Sequence, residues 1–248
     1  MKVKVFANPV ELGQEAAKFS ASVLNKAIAE KGSARILLST GASQFETIKA
    51  LAERKDIDWR KVEMFHLDEY AGLSMEHPAS FRRYLKERFT KFVELQKAYF
   101  VETEGNIVKN IAELTKEIRK QSIDLALIGI GENSHIAFND PPADFETQEA
   151  YIVVDLDEKC KKQQVREGWF KTVDEVPKQA VSLTVHEIMR SKVILSCVPF
   201  KAKAEAIKLT LENDLSNMIP ATMLKQHSNF NLYLDEDSAS LVNRDSLL

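Results

Sequence analysis

Ile123-Asp-Leu-Ala-Leu-Ile128, followed at once by Gly129-Ile-Gly-Glu-Asn-Ser-His135-Ile-Ala-Phe-Asn-Asp140-Pro141, is the part of this chain that says most about its architecture. The apolar run is short and ends on glycine, which predicts a buried strand over Asp124–Gly129. A Gly-x-Gly turn behind such a strand lets the backbone approach a ligand, because no Cβ stands in the way. In an open α/β sheet, the loop leaving the carboxyl end of a strand is where ligands bind. This loop carries His135 and, five residues on, Asp140. Such an ionisable pair suits acid–base work, since histidine titrates near neutral pH. A structural βα turn with a surface histidine would use the same residue types.

On both sides of this strand, short β-branched runs alternate with longer amphipathic stretches. Strands are expected at Val3–Phe6, Arg35–Ser39, Val62–Leu67, Tyr99–Val101, Tyr151–Val154, Lys192–Cys197 and Asn231–Leu234. Helices are expected at Val10–Lys31, Gln44–Glu53, Ser80–Phe89, Ile107–Gln121 and Lys201–Glu212. The alternation predicts an α/β fold: a Rossmann-like, mostly parallel sheet with helices on both faces. No linker-like composition, repeat or low-complexity tract interrupts it, so a single domain over residues 1–248 is expected.

Composition narrows the function classes. Of 248 residues, 44% are hydrophobic and 29% charged, with a net charge of −3, which suits a globular protein with a sizeable core. Lysines are matched by acids along most helices, so nucleic acid is not an expected partner. Cys160 and Cys197 lie far apart without Cys-x-x-Cys spacing, so neither a disulfide framework nor a zinc site is indicated. No run approaches membrane-spanning length and the first residues do not form a targeting segment. A cytoplasmic protein with no membrane partner is the expectation.

Two other strand ends carry unusual chemistry. Leu38-Ser39-Thr40-Gly41-Ala42-Ser43-Gln44 joins a strand to a helix with small and hydroxyl residues. Free N–H groups and the helix dipole at such a junction favour an anion. A plain helix start capped by Ser43 would look the same. Met64-Phe65-His66-Leu67-Asp68-Glu69-Tyr70 runs a strand into two adjacent acids, which are costly to bury and so are expected to be solvated or functional. Downstream, His77 is expected to be structural or exposed. Lys201 and Lys203 begin a late helix, where the dipole disfavours a cation unless an anion is near.

Together these motifs resemble the glucosamine-6-phosphate deaminase/isomerase family, whose relatives include the 6-phosphogluconolactonases. The resemblance spans nearly the whole chain. It rests on Ser-Thr-Gly-Ala-Ser (39–43), Leu-Asp-Glu-Tyr-Ala-Gly-Leu (67–73) with Glu-His-Pro-Ala-Ser (76–80), the 129–141 segment, Val-Pro-Lys-Gln-Ala (176–180) and the Lys203–Glu212 helix. The wording Ile-Ala-Phe-Asn-Asp-Pro after His135 resembles the deaminase branch, whereas the lactonase branch follows its histidine with Thr-Ala-Ser-Leu-Phe-Pro.

The resemblance implies aldose–ketose isomerisation and deamination of an amino-sugar 6-phosphate, with glucosamine 6-phosphate first and the galactosamine equivalent second. It implies that Asp68 moves a proton between C2 and C1 and that His135 assists ring opening. Asp140 would orient that histidine, and Asn133 stands where related enzymes often carry an aspartate. Ser39, Thr40, Gly41, Ala42 and Ser43 would cradle the phosphate, Lys203 would pair with it, and Glu69, Gly129 and Gly131 would contact substrate. No metal or organic cofactor is implied, and no metal-ligand cluster is visible. The partner is a small sugar phosphate, and a homo-oligomer is left open.

Three departures are visible. A neutral Asn133 is expected to orient His135 by hydrogen bonding while raising its pKa less than an aspartate would. Asp140 is one methylene shorter than the family's usual glutamate, so its contact with His135 is expected to be longer or water-bridged. The family's phosphate-binding arginine falls at Gly168, with Arg166 nearby. Residues 143–154 lack the basic residues of the allosteric pocket of some relatives, which implies no amino-sugar allosteric control. The alternatives are a 6-phosphogluconolactonase and a non-catalytic sugar-phosphate sensor. The sensor is disfavoured because the chain starts on its first strand and keeps both Asp68 and His135.

Overall fold

Asn8 opens the first helix by accepting from the Val10 and Glu11 N–H groups, both at 3.0 Å, with Pro9 at the first helical position, where its missing N–H costs nothing. That helix, like most of the chain, follows the alternation of strand and helix. In this computed structural model, which describes residues 1–243, the elements run β1 (Lys2–Phe6), α1 (Pro9–Lys31), β2 (Ala34–Leu38), α2 (Phe45–Ala52), β3 (Val62–His66), β4 (Asp68–Tyr70) and α3 (Phe81–Leu85). They continue with β5 (Lys97–Tyr99), α4 (Ile107–Ile118), β6 (Leu125–Leu127), β7 (Tyr151–Asp155), α5 (Glu158–Arg166) and β8 (Gln179–Leu183). The chain closes with α6 (Val185–Met189), β9 (Ile194–Val198), α7 (Ala204–Glu212) and β10 (Phe230–Asp235).

Seven strands form one sheet in the order β1-β10-β9-β6-β2-β3-β5, and every pairing is parallel. Its central strands are buried on both faces, as a parallel sheet between two helical layers requires. Leu37, Phe65, Ala126, Ile194 and Leu232 face one core, which includes Leu114, Ile118, Ile188 and Ile207 from the helices. Ile36, Leu38, Met64, Leu125 and Leu195 alternate with them and face the other, with Leu12, Ala16, Leu24, Ile48 and Leu51 of α1 and α2. From β2 the chain moves outward through β3 to β5, then returns to the opposite side of β2 as β6. The order therefore reverses between β2 and β6, and the loops leaving their carboxyl ends flank that switch point.

A second sheet was not anticipated. Strands β4, β8 and β7 form a three-stranded antiparallel sheet, so the strand expected at Tyr151–Val154 belongs there and not to the parallel sheet. The Tyr151 hydroxyl donates to the His66 carbonyl at 2.9 Å and the Leu183 N–H to the Leu67 carbonyl at 3.0 Å, which seams the small sheet to β3. Among the described residues, no helix is long and apolar enough to cross a membrane.

Candidate active site

A cavity of about 310 Å³ opens over the switch point. Ser39, Thr40, Gly41, Ala42 and Ser43 form one wall, Gly129, Gly131 and His135 another, and Asp68 and Lys203 also line it. Four segments separated by up to about 160 residues of sequence thus meet at the carboxyl ends of four strands.

Asp68 lies on the seam between the two sheets. Its strand pairs with Ser182 of β8, while the preceding Leu67 N–H bonds the Leu38 carbonyl at 3.3 Å. The side chain is only 6% exposed, and that opening faces the cavity. Burial first, and the Glu69 charge second, hold its carboxyl well above the usual carboxylate range. A carboxylate so placed binds a proton strongly once it is ionised.

Glu69 does not join it in the cavity, which corrects its expected substrate contact. Successive strand residues point to opposite faces, and Glu69 turns into the protein with no exposure. There it accepts from Ser80 Oγ at 2.8 Å, the Arg82 N–H at 2.8 Å, the Phe81 N–H at 3.2 Å and the Tyr70 N–H at 3.0 Å. Arg82 Nε, also buried, lies 3.3 Å away. Glu69 anchors the start of α3 and so sets Phe81 in the cavity wall.

The loop after β6 is wound tightly, with Ser134 at φ 66° and Ala137 at φ 52°. Gly131 N–H bonds the His135 carbonyl at 2.9 Å, folding the histidine ring back over the glycine. A Cβ on Gly131 would stand 2.3 Å from His135 Nε2, so only glycine admits the ring in this position. His135 Nδ1 lies 2.9 Å from Asp140 Oδ1. The contact is direct, contrary to the longer or water-bridged one expected from the shorter side chain. It leaves Nε2 as the ring nitrogen for the cavity. Burial acts to raise the Asp140 pKa, but the His135 hydrogen bond and charge and the Asn133 amide together hold it below the usual value.

Asn133 touches the backbone of His135 and not its ring. Its Nδ2 donates to Asp140 Oδ1 at 3.0 Å, and its Oδ1 accepts the His135 N–H at 3.3 Å. Neither Asn133 nor Asp140 lines the cavity; both stand behind His135 as positioning residues. Asn139, not singled out from the sequence, keeps the turn closed. Its buried amide donates to the Ile136 carbonyl at 2.8 Å and the Leu183 carbonyl at 2.9 Å, tying the loop to β8.

The loop after β2, expected to cradle an anion, lines the cavity. Gly41 takes φ 102°, and Ser43 sits inside a short 3-10 turn (Ala42–Gln44), so it does not cap α2 as the alternative supposed. Ser39 Oγ is buried at this wall with no protein partner. Gln44 Nε2 fastens the loop by donating to Ser43 Oγ and to the Cys197 carbonyl, both at 3.0 Å. Lys203 is 7% exposed and faces the same space. Burial lowers its pKa, and the charges of Glu167 and Glu132 work the other way. A buried ammonium on the same cavity as an unpartnered hydroxyl suits an anionic ligand.

Apart from Arg166 and Gly168, the remaining wall was not read from the sequence, and its helix was not expected. It is α5 with the loop after it, which places Gln163, Gln164, Arg166, Glu167 and Trp169 on the cavity. Glu167 is held by Gln163 Nε2 at 2.7 Å and Trp169 Nε1 at 3.1 Å. Arg166 pairs with Glu132 across the loop, and Gln164 Oε1 is buried without a partner. Gly168, where an arginine was expected by resemblance, takes φ 81°. His77 stacks on Phe170 and accepts the Ala79 N–H at 3.1 Å, a structural role. Among the described residues, no group of three or more His, Cys, Asp or Glu side chains is placed to hold a metal.

The fold and the site define a class: an α/β protein in which Asp68, His135, Lys203 and the 39–43 loop share one cavity over the carboxyl ends of its strands. Residues 7–233 match the model of the glucosamine-6-phosphate isomerase/6-phosphogluconolactonase family, and the chain belongs to that family. It is 35% identical to a glucosamine-6-phosphate deaminase of Thermoanaerobacter sp. (strain X514), covering 98% of this chain and 95% of the relative. Identity to glucosamine-6-phosphate deaminase 1 of Bacillus subtilis (strain 168) is 33%, over 97% and 99% of the two chains. Among solved structures, one described as a monomeric glucosamine-6-phosphate deaminase superposes with a TM-score of 0.89 at 30% identity, covering 97% of this chain and 100% of that one. The 6-phosphogluconolactonase of Thermotoga maritima shares the fold at a TM-score of 0.78 and 18% identity, over 94% and 99% of the chains.

Proposed function

We propose that this protein converts an amino-sugar 6-phosphate, glucosamine 6-phosphate first and galactosamine 6-phosphate second, to the keto-sugar phosphate and ammonia. The observation that carries the proposal is the pairing of Asp68 with the His135–Asp140 unit in one cavity whose far wall is an anion cradle. The Thermoanaerobacter, Bacillus and monomeric relatives, at 30–35% identity over nearly the full chain, are deaminases, while the Thermotoga maritima lactonase shares the fold at 18% identity.

In the proposed reaction the phosphate rests on the 39–43 loop and Lys203. Arg166 supplies a second cation on leaving Glu132, in place of the arginine absent at Gly168. His135 Nε2 hands a proton to the ring oxygen as the ring opens and the C1 hydroxyl releases its own to solvent to form the carbonyl, while Asp140, held by Asn133, fixes the imidazole. Asp68, as carboxylate, takes the C2 proton, and the electrons of that C–H bond shift toward the C1 carbonyl. The same carboxyl returns the proton to C1, the C1 oxygen takes up a proton and the C2 amine gives one up, leaving a C1 hydroxyl and an imine at C2. Water adds at C2 and ammonia departs, giving the ketose. General acid–base groups of this kind contribute about 10²–10⁴-fold each. We place the enzyme in the cytoplasm, where its two buried free cysteines stay reduced, and treat the whole chain as one catalytic domain.

A panel of three substrates tests the proposal against the lactonase alternative. Purified protein is given glucosamine 6-phosphate, galactosamine 6-phosphate and 6-phosphogluconolactone, and ammonia and acid release are followed. Ammonia from an amino sugar is expected; rapid lactone hydrolysis with no ammonia would replace this function with the other.

A further inference from the structure

The segment that brings Lys203 to the cavity is strained, and its anchor lies outside the site. Phe200 has φ 83° and ψ 142°, a conformation close to the region that only glycine enters freely. Its N–H donates to both oxygens of Asp235, each at 3.1 Å. Asp235 ends β10, is buried, and also accepts the Ser238 N–H at 2.8 Å. From Phe200 a 3-10 turn (Lys201–Lys203) begins, closed by the Lys203 N–H on the Phe200 carbonyl at 3.0 Å. The charges that bear on the Lys203 ammonium are those of Glu167, Glu132 and Arg166, so Asp235 reaches Lys203 through the backbone and not through its field. A glycine at position 200 would take this turn unaided. Phenylalanine keeps an aromatic face on the cavity rim and needs a restraint to stay there.

We infer that Asp235 is a positioning residue for the anion site: by clamping the Phe200 N–H it holds the positive-φ turn that aims Lys203 at the ligand's phosphate. This rests on the assignment of Lys203 to the phosphate. Nothing in the local sequence signals it, because the two partners are 35 residues apart and meet only where β9 and β10 pair.

Calorimetric binding of inorganic phosphate, with melting temperatures as a control, tests it on Lys203→Met, Asp235→Ala, Asp235→Asn, Phe200→Gly and the Phe200→Gly/Asp235→Ala pair. Asp235→Ala is expected to weaken phosphate about ten-fold. Asp235→Asn, which keeps one acceptor oxygen, loses less. In the Phe200→Gly background the further loss from Asp235→Ala shrinks to about two-fold or less, because the two changes are coupled. If Asp235→Ala does not fold, Asp235→Asn in both backgrounds gives the same comparison. A purely structural Asp235 would lower the melting temperature and leave phosphate affinity unmoved, which overturns the inference, as does an equal affinity loss in both backgrounds. Wild-type phosphate affinity in Lys203→Met would instead remove the anion-site assignment itself.

Discussion

Asp68 and Glu69 are neighbours of one charge type with opposite fates, and strand geometry separates them. Asp68 faces a cavity with burial and a like charge acting on it, while Glu69 is sunk among N–H and O–H donors. For Asp68 the native pKa is raised above the unfolded one, so the fold favours the protonated form. Its contribution is intact below the unfolded value and lost as pH climbs through the raised native value. Asp68→Asn is therefore expected to cut turnover by about 10²–10⁴-fold while raising the melting temperature at neutral pH. The two melting curves should converge as pH falls toward the ordinary value of 3.8. A thermal-melt series against pH checks this, and an unchanged or lower melting temperature at neutral pH would show that Asp68 is not a destabilised buried acid. Glu69→Gln should behave differently. It breaks a buried ion pair with Arg82, costing about 3 kcal/mol in denaturant unfolding, with the KM of the folded variant staying within about two-fold of wild type. A large KM change at unaltered stability would return Glu69 to the substrate.

At the scale of elements, what was legible depended on what each element buries. Strands of the parallel sheet and helices α1, α2 and α4 bury apolar side chains and announce themselves by hydrophobic period. Helix α5 buries Cys160, Gln163 and Gln164, so its sequence Glu-Lys-Cys-Lys-Lys-Gln-Gln-Val-Arg has no apolar stripe. Its signals were the ends: Asp157, whose side chain accepts the Cys160 N–H, and Gly168 with positive φ two residues beyond. The same feature marks it as a cavity element, since its buried Gln163 and Gln164 line the cavity. Strand β4 was invisible because a three-residue strand of Asp-Glu-Tyr pairs only with the distant β8. Helices α1 and α2 give a prediction of their own. A Cβ on Gly13 would stand 2.7 Å from the Glu46 carbonyl carbon, so the two helices cross on that glycine. Gly13→Ala is expected to cost about 1–3 kcal/mol in denaturant unfolding. Because the 39–43 loop, proposed to hold the phosphate, leads into α2, phosphate affinity should fall with it; full affinity in the destabilised variant would show the loop to be independent of that crossing.

For the molecule as a whole, the reversal of strand order between β2 and β6 decides where chemistry happens. Loops from β2, β3, β6 and β9 converge there, so the motifs 39–43, 67–68, 129–135 and 203 could be recognised in sequence although their meeting depends on topology. The chemistry-bearing residues were legible because acids, histidine and small loop residues at strand exits are unusual. Their support was not: Asn139, Gln44, Arg82 and Asp235 act through contacts with segments far off in sequence. The decisive measurement is the ammonia and ketose phosphate released from glucosamine 6-phosphate by wild type and by Asp68→Asn. Wild type is predicted to release one ammonia for each ketose phosphate formed, and Asp68→Asn to lose about 100-fold or more of that rate while still binding inorganic phosphate. Ammonia release by Asp68→Asn within a few-fold of wild type, or none by wild type from either amino sugar, would contradict the proposed reaction.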